Sequence, residues 1–440
     1  MPKLIVQEGY KQVSEYVIPE GITVVGRSTD CDLVLAGRGV SRRHVRFARD
    51  GNVLTVEDMG SRNGTFVNSA PLTEPLELKH MDVTQLGESL LVYNEVESDM
   101  DEATVSGELD SRVFDLKFLQ TMVRAVTGNI ARVVQGKDDV IENIVLAMLS
   151  DGHVLIEDVP GVGKTMLGSA LAKSIRSEFK RIQFTPDLMP SDITGTEVIQ
   201  EDAATGNRTF TFVPGPIFAN IILADEVNRT PPKTQAAMLE AMQEGKVSVG
   251  GQDHELGKPF FVMATQNPLE QEGTYPLPEA QQDRFLFKII VDYPAEEEEK
   301  AIVRMVTSRS AEEILPVLSA DDILEAQKVI RSVPVADAVI DYATRLVRTT
   351  RLNQDDPPEF IQKWTAWGCG PRASIFLVSA AKVAAVFRGA EYVSCQDIAA
   401  VCHPVMRHRL AVNYAARAEG VTSDHVIDLL LEMIPPYETD

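Results

Sequence analysis

Two short runs carry residues whose types and spacing fit one piece of chemistry. Residues 153–165 read HVLIEDVPGVGKT, and about sixty positions later residues 221–226 read IILADE. In the first run Val154, Leu155 and Ile156 make an apolar strand, Gly and Pro impose a turn, and a helix opens at Lys164. A loop of this kind points successive backbone N–H groups inward, where they cradle phosphate oxygens. The candidate loop comprises Asp158, Val159, Pro160, Gly161, Val162, Gly163, Lys164, Thr165 and Met166. Lys164 is placed for the β- and γ-phosphates of a nucleoside triphosphate, and the Thr165 hydroxyl for Mg²⁺. The second run ends in Asp225, which fits a carboxylate that holds Mg²⁺ through its bound water, and Glu226, which fits a base that orients an attacking water. One position departs from the usual GxxxxGK[ST] pattern, because Asp158 stands where its first glycine sits. Gly161 and Gly163 still allow a close backbone approach.

These residues need a rigid frame. From Phe114 the apolar spacing is helical, through Phe118, Leu119, Met122, Val126 and Ile130. Elements then alternate: helix 138–149, strand 153–157, helix 164–175, strands 181–184 and 221–225, helix 231–244, strands 260–265 and 286–291. Alternation of this kind predicts an α/β domain with a mostly parallel sheet, its loop beyond a strand's carboxyl end. Residues 195–213 and 246–256 read as inserted β-hairpins, the second turning at Gly250-Gly251. They fit equally well as decoration of the sheet edge or as loops facing a pore or a client. After Pro294 the pattern is helical, and the EEEEK run at 296–300 reads as a solvated first turn.

Residues 1–95 read differently, as short alternating runs such as 23–25 and 53–57 separated by turns, which predicts an all-β sandwich. Residues 96–112 are acidic and poor in large apolar side chains, as a flexible linker would be. The expected division is therefore 1–95, 96–112, 113–295 and 296–440. The net charge of −23 disfavours nonspecific binding to nucleic acid or to an anionic membrane. No apolar run approaches the ~20 residues of a membrane helix, and no secretory leader is evident. Cys31, Cys369, Cys395 and Cys402 have neither metal-ligand nor disulfide spacing, consistent with a reduced, cytoplasmic protein.

The runs LIEDVPGVGKT, IILADEVNRTPPKTQAAMLEAMQEGKVSV, VMATQNPLEQEGTYPLPEAQQDRFLFKI and GPRAS together resemble the AAA+ ATPases, and within them the MoxR family, over roughly residues 114–440. The resemblance implies a five-stranded core, a helical lid, ATP as substrate with Mg²⁺, and a homo-oligomeric ring, usually a hexamer. By motif, Asn267 resembles sensor 1, which polarises the attacking water. Arg284 resembles the arginine finger lent to a neighbour's γ-phosphate, its alternative being a salt bridge to Asp283 or Glu279. Arg372 resembles the sensor 2 arginine of the lid. Arg229 is a further arginine near the expected subunit interface. MoxR relatives imply a chaperone role, often with partners that carry a von Willebrand factor type A domain.

Against the chain's acidic trend, Arg27, Arg38, Arg42, Arg43, Arg46, Arg49 and Arg62 cluster in the first domain. Guanidinium groups beside serines in turns suit a dianionic phosphate, through paired charge-assisted hydrogen bonds. The order GR, SxxH, NGT is similar to the forkhead-associated (FHA) domain, a sandwich that binds phosphothreonine peptides. The likeness implies phosphate contact by Arg27 and Ser41 with Arg42 and Arg62 beside them, a peptide-backbone contact by Asn63, and structural roles for Gly26 and His44. Thr104, in the acidic linker, is a candidate phosphosite that could dock on this reader.

Three functional classes follow. The first is a chaperone or remodelling ATPase recruited through phosphothreonine. The second is a nucleic-acid motor or loader on the same core, which the acidity disfavours. The third is a nucleotide-bound phosphopeptide scaffold without turnover, against which Glu226 and Arg284 weigh.

Overall fold

The computed structural model describes residues 3–436 except 9–11, 38, 52, 68–69, 80–81, 88, 95–115, 159–162, 202–207, 268–272, 308–313, 315 and 354–355. Alternating apolar and polar residues make the N-terminal strands β1 (Lys3–Glu8), β2 (Gln12–Val17), β3 (Gly21–Gly26), β4 (Leu33–Val34), β5 (Val45–Asp50), β6 (Val53–Asp58), β7 (Phe66–Val67), β8 (Ala70–Pro71), β9 (Leu76–Leu78), β10 (Val83–Leu86) and β11 (Ser89–Asn94). They form a six-stranded sheet, β2-β1-β11-β10-β7-β8, and a five-stranded sheet, β4-β3-β5-β6-β9. The two-residue period of β5 sends Val45 and Phe47 into the core and turns Arg46 outward. There Arg46 pairs with Glu57 of the facing strand β6 at 2.5 Å. Arg49 donates to the Ile18 carbonyl at 2.7 Å. Both arginines are thus tied into the sandwich, which narrows the basic cluster seen in the sequence. Arg38 lies outside the described residues.

The central domain runs α1 (Leu116–Ala131), α2 (Asp138–Leu149), β12 (Val154–Asp158), α3 (Lys164–Ser174), β13 (Phe179–Gln183), α4 (Pro190–Thr194), β14 (Gly195–Glu201), β15 (Arg208–Pro214), β16 (Ile221–Asp225), α5 (Pro232–Glu244), β17 (Lys246–Val249), β18 (Gln252–Glu255), β19 (Phe261–Gln266), α6 (Glu279–Gln282) and β20 (Phe287–Val291). Five of these strands form one parallel sheet in the order β13-β16-β19-β12-β20. Every residue of β16 is buried, as expected where helices cover both faces. Val154 and Ile156 face one apolar core and Leu155 the other. The strand expected at 181–184 starts earlier, at Phe179. Lys180 and Arg181 mask its start in the sequence, because β13 is an edge strand and its polar side chains reach solvent. The two hairpins form as expected, β14 with β15 and β17 with β18. They pack on each other through Phe212 and His254, stacked with centroids 3.8 Å apart.

The C-terminal part runs α7 (Glu296–Thr307), α8 (Ala320–Arg331), α9 (Asp337–Thr349), α10 (Glu359–Trp364), β21 (Thr365–Trp367), α11 (Pro371–Arg388), α12 (Cys395–Met406), β22 (Ala411–Val412), α13 (Tyr414–Ala418) and α14 (Ser423–Met433). Four glutamates fill the first turn of α7, where the helix dipole favours acids. Ser319 and Ser394 cap α8 and α12, each with an aspartate three residues on. The short ribbon β21–β22 and a single β-bridge between Val335 and Val393 depart from the helical expectation. The four cysteines are buried free thiols. No helix among the described residues is long and apolar enough to cross a membrane.

The N-terminal sandwich touches the central domain at the end of α1. The Arg132 guanidinium lies 3.5 Å from the Phe66 ring centroid, and its Nη2 donates to Gln85 Oε1 at 3.0 Å.

Candidate active site and phosphate-reading loops

The parallel order brings the carboxyl ends of β12, β16 and β19 to one edge of the sheet, and the candidate catalytic residues gather there. Gly163 precedes α3 with φ of 85°, a left-handed conformation that favours glycine. Among the described residues nothing lies within 4 Å of where a side chain at that position would begin. Lys164 opens α3, and its Nζ lies 3.7 Å from Asp225 Oδ1. Thr165 and Met166 follow, both exposed. The backbone of Asp158 ends β12, while Val159, Pro160, Gly161 and Val162 lie outside the described residues.

Asp225 is buried at the end of β16. Its Oδ1 accepts the Thr265 hydroxyl at 2.7 Å, and the same hydroxyl oxygen accepts the Glu226 N–H at 2.9 Å. Burial alone would raise the Asp225 carboxyl. The hydrogen bonds from Thr265 and Arg181, with the charge of Lys164, outweigh it and hold the group below the ordinary carboxylate value. An ionised carboxylate facing a helix that begins with a lysine and an exposed hydroxyl offers hard oxygen donors, which suit Mg²⁺. Glu226 has φ of 58°, uncommon for a non-glycine residue and frequent where function demands a strained backbone. Its Oε2 accepts Gln183 Nε2 at 2.7 Å and lies 3.2 Å from Arg229 Nη1. Asn267 is buried one residue beyond the end of β19, its carbonyl 3.4 Å from Asn228 Nδ2.

The remaining arginines sit where the lid meets the core. Arg284 donates from Nη1 to the Leu239 carbonyl of α5 at 2.9 Å, so neither acid considered in the sequence holds it. Asp283 instead carries two other cations, Arg409 at 2.7 Å and Arg372 at 3.2 Å. Arg409 is almost wholly buried, and burial pushes its guanidinium down to about 10 against the pull of Asp283. Beside it, His408 Nε2 donates to the Phe285 carbonyl at 3.1 Å. Burial and the charge of Arg409 hold His408 well below the ordinary histidine range.

No motif marks Arg181, Gln183, Thr265 or Arg409, and Asp283 enters the sequence only as an alternative partner of Arg284. One signal was present for two of them. Arg181 and Gln183 are polar at positions i and i+2 of one strand, so they share a face. Which acids that face meets depends on β16 lying next to β13.

In the sandwich, the turns after β3 and β6 and the turn before β5 meet at one end. The Arg27 N–H donates to the Ser41 carbonyl and the Ser28 N–H to the Arg42 carbonyl, both at 2.9 Å. A side chain at Gly26 would lie 2.4 Å from the Arg42 carbonyl oxygen, so the approach of the two turns requires glycine. Ser41 Oγ accepts the Arg62 N–H at 3.0 Å, and Asn63 Nδ2 donates to the Gly39 carbonyl at 3.1 Å. His44 is buried beneath them. Its Nδ1 accepts the Ser41 N–H at 2.9 Å, which places its proton on Nε2, 3.1 Å from the Gly64 carbonyl. Arg27, Arg42, Arg62 and Asn63 remain exposed around half-buried Ser41. Thr104 lies outside the described residues.

A glycine-lysine-threonine helix start, a strand ending in a buried Asp225 followed by Glu226, and a five-stranded parallel sheet with a helical lid define a P-loop ATPase core of the AAA+ class. Residues 153–287 match the family described as ATPase family associated with various cellular activities (AAA), and residues 361–429 match the AAA lid domain. Residues 23–87 match the FHA domain. The chain is 44% identical over 318 residues to chaperone MoxR1 of Mycobacterium tuberculosis, covering 72% of this chain and 82% of that one. It is 30% identical over 324 residues to protein MoxR of Methylorubrum extorquens, covering 70% and 92%. A crystal structure from Cytophaga hutchinsonii superposes with a TM-score of 0.68 at 38% identity, covering 73% of this chain and 97% of that one. The chain belongs to the MoxR family of AAA+ ATPases and carries an FHA domain at its N-terminal end.

Proposed function

We propose that this protein is a ring-forming remodelling ATPase of the chaperone type, directed by phosphothreonine. The observation that carries the reading is the convergence of Lys164, Asp225, Thr265 and Glu226 at one sheet edge. Lys164 holds the β- and γ-phosphates of ATP, with the loop backbone from Asp158 to Gly163 around them and Met166 at the rim. Thr165 and Asp225 serve Mg²⁺, which withdraws charge from the phosphates when bound. Glu226 orients water, and Asn267 polarises it. Arg284 completes the site of the next copy in a hexamer, and Arg372 links nucleotide state to the lid. In this reading the FHA unit spans 1–95, the linker 96–112, the ATPase core 113–295 and the lid 296–440. The exposed cross-strand pair Ile199 and Phe210 on the β14–β15 hairpin offers an apolar surface to a client.

Phosphate release from assembled protein tests the ATPase reading. Glu226→Gln is expected to retain ATP and lose turnover by ~10²–10⁴-fold. Mixing Glu226→Gln with Arg284→Ala restores activity only if the site is shared. In a random ring about a quarter of sites then have an intact base facing an intact arginine. No recovery on mixing would remove the shared site.

The phosphothreonine reading is supported by the cluster of Arg27, Ser41, Arg42, Arg62 and Asn63. Fluorescence anisotropy with a phosphothreonine peptide is expected to show binding that Arg27→Ala abolishes and that the unphosphorylated peptide lacks. Thr104 is a candidate ligand within the chain, tested by intact mass after co-expression with host kinases, with Thr104→Ala as control. A protein with a von Willebrand factor type A domain is a further expected partner, sought by affinity capture.

A further inference from the structure

Arg181 lies in the middle of edge strand β13, level with Leu223 of β16. Its side chain runs toward the carboxyl edge of the sheet. There Nε and Nη2 both donate to Asp225 Oδ2, at 3.0 and 2.6 Å. The other oxygen, Oδ1, is held from within the sheet by the buried hydroxyl of Thr265. The two halves of this carboxylate therefore have different partners. One is fixed by the core. The other is covered by a guanidinium whose side chain is 47% exposed, while Asp225 is 8% exposed.

A buried carboxylate needs a counter-charge, and a second cation brought to the same oxygen is repelled by the first. We propose that Arg181 is the stand-in cation of Asp225: it neutralises Oδ2 when no divalent ion is bound and must leave when one arrives with nucleotide. The inference rests on the assignment of Asp225 as the Mg²⁺ carboxylate. It adds a residue that sets how much Mg²⁺ the site demands. The exposure of Arg181 gives it somewhere to go, since its head can move into solvent without leaving a buried charge. Its departure also reaches Glu226. Arg181 Nη2 donates to Gln183 Oε1 at 2.5 Å, and the amide nitrogen of Gln183 donates to Glu226 Oε2 at 2.7 Å. The guanidinium thus orients the amide that holds Glu226, so binding of the metal loosens the hold on the base.

The test is calorimetric titration of ADP into the full chain at a series of Mg²⁺ concentrations. Wild type is compared with Arg181→Met, which keeps the apolar stem, and with Arg181→Gln, in case the first does not fold. Thermal melts confirm folding. Removing the competing cation is expected to lower the Mg²⁺ concentration at half-maximal ADP binding by at least threefold in either variant. An unchanged or raised half-point in the folded variants overturns the inference and leaves Asp225 in its role. A wild type whose ADP binding ignores Mg²⁺ overturns the assignment of Asp225 itself, and the inference with it.

Discussion

Arg409 of the lid reaches across to Asp283 of the core, Nε to Oδ1, at 2.7 Å. The same guanidinium donates to the Asp283 carbonyl at 2.8 Å, to the Leu286 carbonyl at 3.2 Å and to the carbonyls of Phe285 and Val405. One buried side chain thereby fastens the residues after α12 to the stretch between α6 and β20. Arg284, the candidate finger, lies within that stretch. The remaining oxygen of Asp283 holds Arg372, so one carboxylate carries both Arg409 and the candidate lid arginine.

Breaking this latch should cost more than a surface ion pair. Arg409→Met removes the charge and leaves several carbonyls and one Asp283 oxygen without the donor that Arg409 supplies, while Arg372 stays on the other oxygen. The expected destabilisation is about 3 kcal/mol, from the several hydrogen bonds that one buried guanidinium makes. Chemical denaturation of wild type and variant checks it, and a change below about 1 kcal/mol would place Arg409 with ordinary surface pairs.

Thr265 links the two acids, as acceptor from the Glu226 backbone and donor to Asp225. Thr265→Val keeps the shape and loses both bonds. Turnover is expected to fall by about tenfold, the equivalent of one lost hydrogen bond to a charged group. Thr265→Ser, which retains the hydroxyl, should stay within about twofold on the same scale. Phosphate release at saturating ATP separates the two.

His44 gives the FHA unit a pH dependence of known sign. Burial, opposed by the Gly64 hydrogen bond and by Asp58, leaves its pKa below the ordinary value of 6.5. Its Nδ1 must stay unprotonated to accept from Ser41. A lowered histidine pKa contributes stability that is present above the unfolded value and lost as pH falls through the folded one. Melting temperature should therefore decline below pH 6.5, the unfolded reference. His153 and His408 are shifted the same way. The measurement is therefore the difference between wild type and His44→Gln, and phosphopeptide affinity should fall over the same pH window.

The contact of Arg132 with Phe66 and Gln85 holds the FHA unit on the core. A cation over an aromatic ring with one hydrogen bond contributes about 1–2 kcal/mol. Arg132→Ala is expected to enlarge the radius of gyration in small-angle scattering, and an unchanged profile would show that other contacts fix the two units.

Much of the candidate site is legible in the sequence. Lys164, Asp225 and Glu226 stand at strand and helix ends that apolar periodicity alone locates. The turns carrying Arg27, Ser41, His44 and Asn63 are separated by alternating strands whose period is equally plain. Two features were not legible. The charged pair Lys180-Arg181 concealed the start of β13. The basic cluster looked larger than it is, because Arg46 and Arg49 are bound within the sandwich. Residue type does not say whether an arginine faces a ligand or a neighbouring strand. Strand direction and register do.

The amino-acid order by itself determined which chemical groups this protein owns and which local element each one ends. That information is local, since periodicity, turn residues and helix starts act over a few positions. Only the tertiary structure decided which group meets which. Arg181 meets Asp225 from 44 positions away, and Arg409 meets Asp283 from 126. Such pairings follow from the order of strands in the sheet and the seat of the lid. Both are fixed by burial of whole faces, which no short window of sequence contains.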